Sequence, residues 1–309
     1  MTFAFVFPGQ GSQSVGMMSG FAGVAEVEAT FAEASDVLSQ DFWAMVQDGT
    51  GGDLNETIHT QPAMLTAGVA VWRVWQARGG KMPALMAGHS LGEYSALVAA
   101  GVLGFADAVR LVRLRAEAMQ SAVPAGVGAM AAILGLDDDA LLAACAEAAQ
   151  GEVVAPVNFN SPGQTVIAGN KGAVERAMEA AKARGAKRAM PLPVSVPSHC
   201  ALMKPAADKL AAALADISLG QPLVPVLHNV DVQSHSDATM LRQSLAAQLY
   251  SPVRWVDTLR ALSERGVTQV AECGPGKVLA GLTKRSELPL TGLALTDVAS
   301  LEAALSELS

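Results

Sequence analysis

Cysteine, charge and aromatic side chains are all scarce in this chain. Its 309 residues include three cysteines, 5% aromatic residues and 16% charged ones. Cys145, Cys200 and Cys273 are odd in number, far apart and without metal-ligand spacing. That argues against a disulfide framework or a cysteine metal site, and it fits a reducing, cytoplasmic compartment. No apolar run approaches the roughly 20 residues that cross a bilayer, so no membrane association is expected. The apolar opening FAFVF has no basic residues before it and is not read as a signal peptide. The 21 Lys and Arg are outnumbered by 29 Asp and Glu, for a formal net charge of -8. Nucleic acid, which needs a basic surface, is therefore excluded as a partner. What the chain has instead is 51% hydrophobic residues, enough for a sizeable core in one large domain with an insert, or in two domains.

Short apolar runs alternate with helical patterns, which predicts an α/β protein with a largely parallel sheet. Residues 3–7 read as a strand and 8–13 as a loop, with helical segments following to about residue 47. A helix is expected over 61–78 with Thr60 as its N-cap, then a strand over 83–87 and helices over 91–100 and 105–120. The middle of the chain reads differently, with strands over 127–134, 153–159, 164–168 and 187–190 and helices over 137–149 and 172–184. That order, β-α-β-β-α-β, is the ferredoxin-like split motif. Asn160-Ser161-Pro162-Gly163 supplies its central turn, and Pro191, Pro193 and Pro197 mark its exit. The expected organisation is a core of 1–125 and 197–309 carrying a subdomain of 126–196. Beyond residue 201, helices are expected near 201–215, 237–249 and 254–265, and strands near 224–227 and 268–272.

Gly88-His89-Ser90-Leu91-Gly92 fits the G-x-S-x-G nucleophile elbow, and its context is the required strand, sharp turn and helix. The flanking glycines remove Cβ atoms that would clash in the turn. Ser90 would then sit at a helix N-terminus, where N–H groups favour developing negative charge. The alternative is an ordinary serine N-cap. A serine nucleophile needs a general base. Of the five histidines, His199 lies where the chain leaves the insert and re-enters the core, a place from which a side chain can point into an interdomain cleft. A buried structural histidine is the competing reading for each. His89 adjoins the serine but should leave the turn in another direction. A lipase-like triad would have its acid between serine and histidine in the chain; Asp137, Asp138 and Asp139 lie there, but they open a helix and read as a capping cluster. A Ser–His dyad, its imidazole oriented by a carbonyl or side-chain amide, fits better.

On the 105–120 helix, with Asp107 at 0° and 100° per residue, Arg110, Arg113, Glu117 and Gln120 fall at about 220–300° and form the polar face. Arg113 and Glu117 are expected to make a solvated i, i+4 ion pair. Arg115 falls near 80°, among Ala108, Leu111, Val112, Ala118 and Met119, and so projects from the apolar stripe. A guanidinium there needs a partner: a structural acid, water reached by snorkelling, or a substrate carboxylate held by the planar fork. The loop Phe7-Pro8-Gly9-Gln10-Gly11-Ser12-Gln13 fails the dinucleotide fingerprint, having Ser14 where the third glycine belongs. Gly274-Pro275-Gly276-Lys277 fails the phosphate loop, having Ala271 where the first glycine belongs. Gln10 can instead aim its backbone N–H at an oxyanion, with the Leu91 N–H as the second donor.

Taken together, the chain resembles the malonyl-CoA:acyl carrier protein transacylases of bacterial fatty-acid synthesis, relatives of the acyltransferase domains of polyketide synthases. The resemblance rests on FVFPGQGSQ, TQPA at 60–63, GHSLGEYSAL, VNFNSPGQ at 157–164, PVSVPSH ending at His199, HNVD at 228–231, QLYSPVRW at 248–255 and GPGKVL at 274–279. It implies an α/β-hydrolase-like core with a ferredoxin-like insert and the active site between them. It also implies Ser90 as the acylated nucleophile, His199 as base, Gln10 and Leu91 as oxyanion donors and Arg115 as the malonyl carboxylate's partner. Gln248 matches the glutamine whose backbone carbonyl orients the histidine, and Asn160, Gln61 and His89 match residues lining the site. Malonyl-CoA and acyl carrier protein are the implied partners, a monomer is expected, and no cofactor is, since CoA and phosphopantetheine are substrates. Val196-Pro197-Ser198 matches neither common acyl-selectivity signature of the polyketide enzymes, so malonyl preference follows from the resemblance alone. Lys182, Arg184, Lys187 and Arg188, with Lys277, Lys284 and Arg285, are candidates for docking an acidic carrier. A serine hydrolase and a non-catalytic carrier-binding module are the rival readings.

Overall fold

The strand Phe3–Phe7 (β1) is buried at all five positions. That is expected of a central strand in a parallel sheet covered on both faces. In the computed structural model, which describes residues 2–194 and 196–308, three helices follow it: α1 (Ala25–Leu38), α2 (Phe42–Gln47) and α3 (Thr57–Ala77). Next come β2 (Leu85–Gly88), α4 (Gly92–Ala99) and α5 (Phe105–Ser121). The middle segment is β3 (Gly128–Leu134), α6 (Asp138–Ala149), β4 (Val154–Ser161), β5 (Gln164–Asn170), α7 (Lys171–Ala183) and β6 (Arg188–Pro191). The last third is α8 (Lys204–Ala215), β7 (Val226–Leu227), α9 (Ala238–Gln248), α10 (Trp255–Glu264), β8 (Gln269–Cys273), α11 (Val278–Arg285), β9 (Thr291–Leu295) and α12 (Val298–Glu307).

The elements form a mixed α/β structure with two sheets. One has five parallel strands in the order β7-β2-β1-β8-β9, and the other four antiparallel strands in the order β4-β5-β3-β6. The period of two along β1 divides its side chains between two cores. Phe3, Phe5 and Phe7 join the α3 side, where Phe5 meets Trp72 and Trp75 edge-on at 5.6 and 5.0 Å. Ala4 and Val6 face Trp255, Leu259 and Leu262 of α10 and Leu279 and Leu282 of α11. In the antiparallel sheet, Ala131, Ile133 and Ile167 pack on α6 and α7. Its other face, through Met130, Val157, Val166 and Ala168, packs against Cys200 and the neighbouring Leu192 and Val194. The antiparallel sheet is also tied by backbone to the segment between α9 and α10: the Phe159 N–H donates to the Val253 carbonyl at 3.0 Å, and the Val253 N–H to the Val157 carbonyl at 2.8 Å.

Several expectations need correction. α3 starts at Thr57, one turn before the expected start, and Thr60 is not its cap: its hydroxyl donates to the carbonyls of Leu54 and Glu56 from inside the helix. Pro62 in the second turn made the later start look natural from the sequence. The expected Arg113–Glu117 ion pair is present at 4.0 Å with Glu117 exposed, but Arg113 is itself only 18% exposed and also donates to the Gln40 side chain. Residues 201–203 form a 3₁₀ turn before α8. The elements α11, β9 and α12 lie past the last strand that the periodicity predicts. Asp137 is the N-cap of α6, accepting from the Ala140 N–H at 2.8 Å, in keeping with a capping cluster. Ser195, within PVSVPSH, lies outside the described residues.

Candidate active site

The C-terminal edge of the parallel sheet carries the site. β1 ends in the Gln10 loop, β2 in the Ser90 turn, β7 in His228-Asn229 and β8 in the Gly274–Lys277 loop, which is where open α/β sheets bind ligands. The Ser90 turn is tight enough to require its glycines. A Cβ on Gly88 would lie 1.9 Å from the Gly92 carbonyl carbon, and one on Gly92 would lie 1.9 Å from the Phe7 carbonyl oxygen. Ser90 itself has φ of 52° and His199 has φ of 65°. Left-handed backbone costs a non-glycine residue roughly 1–2 kcal/mol, so the surrounding structure holds both side chains in place against local preference.

The Ser90 Oγ lies 2.8 Å from His199 Nε2. His199 is 3% exposed, and its Nδ1 lies 2.7 Å from the Gln248 backbone carbonyl. Because a carbonyl can only accept, the ring proton sits on Nδ1, and Nε2 is left to accept the serine proton. Burial, and after it the Arg115 charge, pushes the His199 pKa down to about 3. The imidazole is therefore neutral at neutral pH and able to take a proton.

On the other side of the hydroxyl, Arg115 Nη2 donates to Ser90 Oγ at 3.2 Å. Arg115 is 1% exposed and makes no ion pair with any carboxylate among the described residues. Its partners are neutral: Nη1 donates to Gln61 Oε1 at 2.8 Å and Nη2 to Gln248 Oε1 at 3.0 Å, while the guanidinium lies over the Tyr94 ring at 5.4 Å. The Nε has no acceptor. The helical-wheel reading left three partners open for this group. The structure supplies neither a structural acid nor solvent.

Among the elbow amides, the Ser90 N–H donates to Asn229 Oδ1 at 2.7 Å, Gly92 to the His89 carbonyl at 2.9 Å and Glu93 to the Ser90 carbonyl at 3.1 Å. Among the described residues the Leu91 N–H is left without an acceptor, and so is that of Gln10, whose side chain bonds Thr57. The two loops touch: a Cβ on Gly9 would lie 3.7 Å from the Leu91 nitrogen. His89 turns away, as the sequence suggested, with Nε2 on Asn160 Oδ1 at 2.8 Å and its ring against Trp255. Gln61 Nε2 also donates to Met119 Sδ at 3.7 Å. All nine singled-out residues thus fall in one neighbourhood, with Asn160 reaching in from β4.

The model of the acyl transferase domain family matches residues 4–286. The chain belongs to that family. This acyl transferase is 63% identical over 306 residues to the malonyl CoA-acyl carrier protein transacylase of Salmonella typhimurium, covering 99% of each chain. It is 45% identical to the protein of that name from Bacillus subtilis, over 99% and 96%. Among solved structures, a malonyl-transacylase in complex with a type II polyketide synthase acyl-carrier protein matches with a TM-score of 0.98 and 60% identity, covering 99% of this chain and all of that one. The acyl carrier protein S-malonyltransferase of Vibrio cholerae matches at 0.96 and 61%, covering 98% and 100%.

The sequence reading of this acyl transferase missed Glu93, Tyr94 and Asn229. Glu93 and Tyr94 fell inside the quoted GHSLGEYSAL, and Asn229 inside HNVD, yet none was singled out. Glu93 is fully buried beside Ser90, where a charge in an otherwise small-residue helix was the available signal. Burial raises the Tyr94 pKa well above its usual value, which leaves a neutral phenol beneath the guanidinium.

Proposed function

We infer that this acyl transferase moves a malonyl group from malonyl-CoA to the phosphopantetheine thiol of an acyl carrier protein, supplying extender units for fatty-acid synthesis. The observation that carries this reading is the position of the Ser90 hydroxyl. It lies between a neutral imidazole at 2.8 Å and a buried guanidinium at 3.2 Å that has no internal acid. Arg115 is read as the partner of the malonyl carboxylate, which would take over the contacts now made to neutral oxygens. A charged, planar fork prefers a carboxylate to an amide.

Catalysis then runs in two halves. His199 Nε2 takes the Ser90 proton as Oγ bonds to the thioester carbonyl carbon. The Gln10 and Leu91 N–H groups receive the oxyanion, each such donor contributing on the order of 10²–10³ in rate. Collapse breaks the C–S bond, and His199 returns the proton to the departing CoA sulfur. The carrier thiol next gives its proton to His199 and attacks the ester carbonyl. The C–O bond breaks, and the proton returns to Ser90. A substrate carboxylate on Arg115 offsets the charge that holds the imidazole pKa down, so malonyl binding itself strengthens the base. Gln248 orients His199 through its carbonyl, Gln61 holds Arg115, and His89 with Asn160 forms the wall facing β4. Side chains and backbone supply all of this chemistry, without a cofactor.

The strand order β4-β5-β3-β6 and the helix pair on one face support reading 126–196 as a ferredoxin-like insert. The parallel sheet with its elbow supports an α/β-hydrolase-like core of 1–125 and 197–309. For carrier docking, Lys182 and Arg184 are engaged by Glu179 and Glu147. Lys277 lies on the same sheet edge as Ser90 and is the stronger candidate. The deciding experiment is intact-mass measurement after incubation with malonyl-CoA, followed by addition of carrier protein. A malonyl adduct that persists, is absent in Ser90→Ala, and discharges onto the carrier thiol is expected. Rapid release of free acid would point to a hydrolase instead.

A further inference from the structure

Glu93, on α4 three residues after the nucleophile, is fully buried and accepts three hydrogen bonds. Its Oε1 accepts from His228 Nδ1 at 2.7 Å. Its Oε2 accepts from the Asn229 backbone N–H and from Gln248 Nε2, both at 2.9 Å. Two of these partners hold the groups assigned to the chemistry. Asn229 accepts the Ser90 N–H through Oδ1 and donates through Nδ2 to the Gly88 carbonyl at 2.6 Å, so it fixes both sides of the elbow. Gln248 accepts from His199 with its backbone carbonyl and from Arg115 with Oε1, and its Nε2 also donates to the Ser90 carbonyl at 3.0 Å.

The Gln248 amide has two ends of similar shape and opposite hydrogen-bonding sense, and its neighbours decide which way it points. Arg115 can only donate, so the end facing it has to be oxygen. An ionised carboxylate can only accept, so the end facing Glu93 has to be the NH₂. Without Glu93, Nε2 keeps the Ser90 carbonyl but loses its other acceptor, so the orientation is held less firmly, and a flipped amide would set donor against donor at Arg115. We propose that Glu93 is a positioning residue for acyl selection. By pinning the Gln248 amide and the Asn229 turn, it holds the Arg115 fork and the Ser90 elbow in register with one another. Glu93 touches neither the reacting hydroxyl nor the acyl group and acts only through those two side chains. The inference rests on the malonyl-transfer reading of the site.

The test compares Ser90 acylation by malonyl-CoA and by acetyl-CoA, followed by intact mass on the full chain and on Glu93→Ala, Glu93→Gln and Glu93→Asp. Glu93→Ala is expected to lower malonyl kcat/KM on the order of 100-fold and to shrink the malonyl-over-acetyl preference at least about tenfold. Glu93→Gln should keep most of the preference, because its amide oxygen can still accept from Gln248 and Asn229 while its NH₂ faces an unprotonated His228 Nδ1. Glu93→Asp keeps the charge but is one methylene too short to reach all three donors. It should lose part of the preference, and it carries the test if the alanine variant does not fold. A merely structural role would lower Tm and leave the preference alone. A folded Glu93→Ala or Glu93→Asp with the wild-type preference overturns the proposal, as does Glu93→Gln losing as much preference as Glu93→Ala. A wild-type chain that malonyl-CoA does not acylate would overturn the function itself and this role with it, a result distinct from any variant's behaviour.

Discussion

Two buried ionisable side chains near Ser90 are satisfied in opposite ways. His228 meets a carboxylate: Glu93 lies 2.7 Å away with both groups fully out of solvent. Arg115 is equally buried but meets two amide oxygens and a hydroxyl. A histidine already facing an internal carboxylate has little attraction left for another anion. A cation resting on neutral oxygens retains much of its attraction for one, since its lost hydration is only partly offset. The difference separates a cluster that holds the site in shape from a group held ready for a ligand. The Gln248 amide lies between them, keeping the internal acid one side chain away from the guanidinium it would otherwise neutralise.

The comparison can be broken most directly at Arg115. Arg115→Ala should reduce malonyl transfer about 100-fold or more while leaving acetyl transfer far less affected, because only the malonyl transition state uses the lost contacts. Steady-state kcat/KM with the two thioesters measures this, and equal losses would mean that the guanidinium does not read the acyl group. On the other side, His228→Ala removes one member of a buried pair and leaves Glu93 half satisfied. It should cost about 3 kcal/mol of stability, the usual penalty for breaking such a pair, as read by urea denaturation. The malonyl-over-acetyl preference should move little, provided Glu93 still grips Gln248.

A smaller effect is expected in pH dependence, where the two histidines have opposite signs. Burial lowers His199 to about 3, so acylation should show no fall as pH drops through 6.5 and should decline only where the imidazole at last protonates. Removing the Arg115 charge should move that acid limb upward. For His228, burial acts downward but the Glu93 hydrogen bond and charge prevail, so its pKa is raised. That pair therefore stabilises the fold fully below the unfolded value near 6.5 and loses its contribution as pH rises through the raised folded value. His199 acts in the other direction: its burial as a neutral ring costs stability as pH falls from 6.5 toward 3. The gap between the denaturation midpoints of the wild type and His228→Ala should narrow as pH rises through the raised His228 value.

Much of the site was legible because its signals are local. The elbow needs only a strand, a turn and a helix in succession, all within residues 85–99. Arg115 declares itself by period alone, since one helix carries both the apolar stripe and the misplaced charge. The failures have local causes as well. Pro62 suggested a helix boundary where the chain was already helical, and the i, i+4 spacing of Arg113 and Glu117 could not reveal Gln40, 73 positions earlier in the chain. Glu93 was passed over because a glutamate on a short helix reads as a solvated residue until its partners are known.

The sequence by itself determined that a serine would stand in a strained turn at the edge of a parallel sheet, and that an arginine would point into the core. Both follow from backbone geometry and side-chain period, which act over a few residues. Only the tertiary structure decided that the two would meet. Arg115 touches Gln61, 54 positions before it, and Gln248, 133 after it, and Ser90 meets a histidine 109 positions away. Such contacts depend on how the sheets and helices pack together, which is also what leaves the imidazole buried and neutral and the guanidinium buried without an acid.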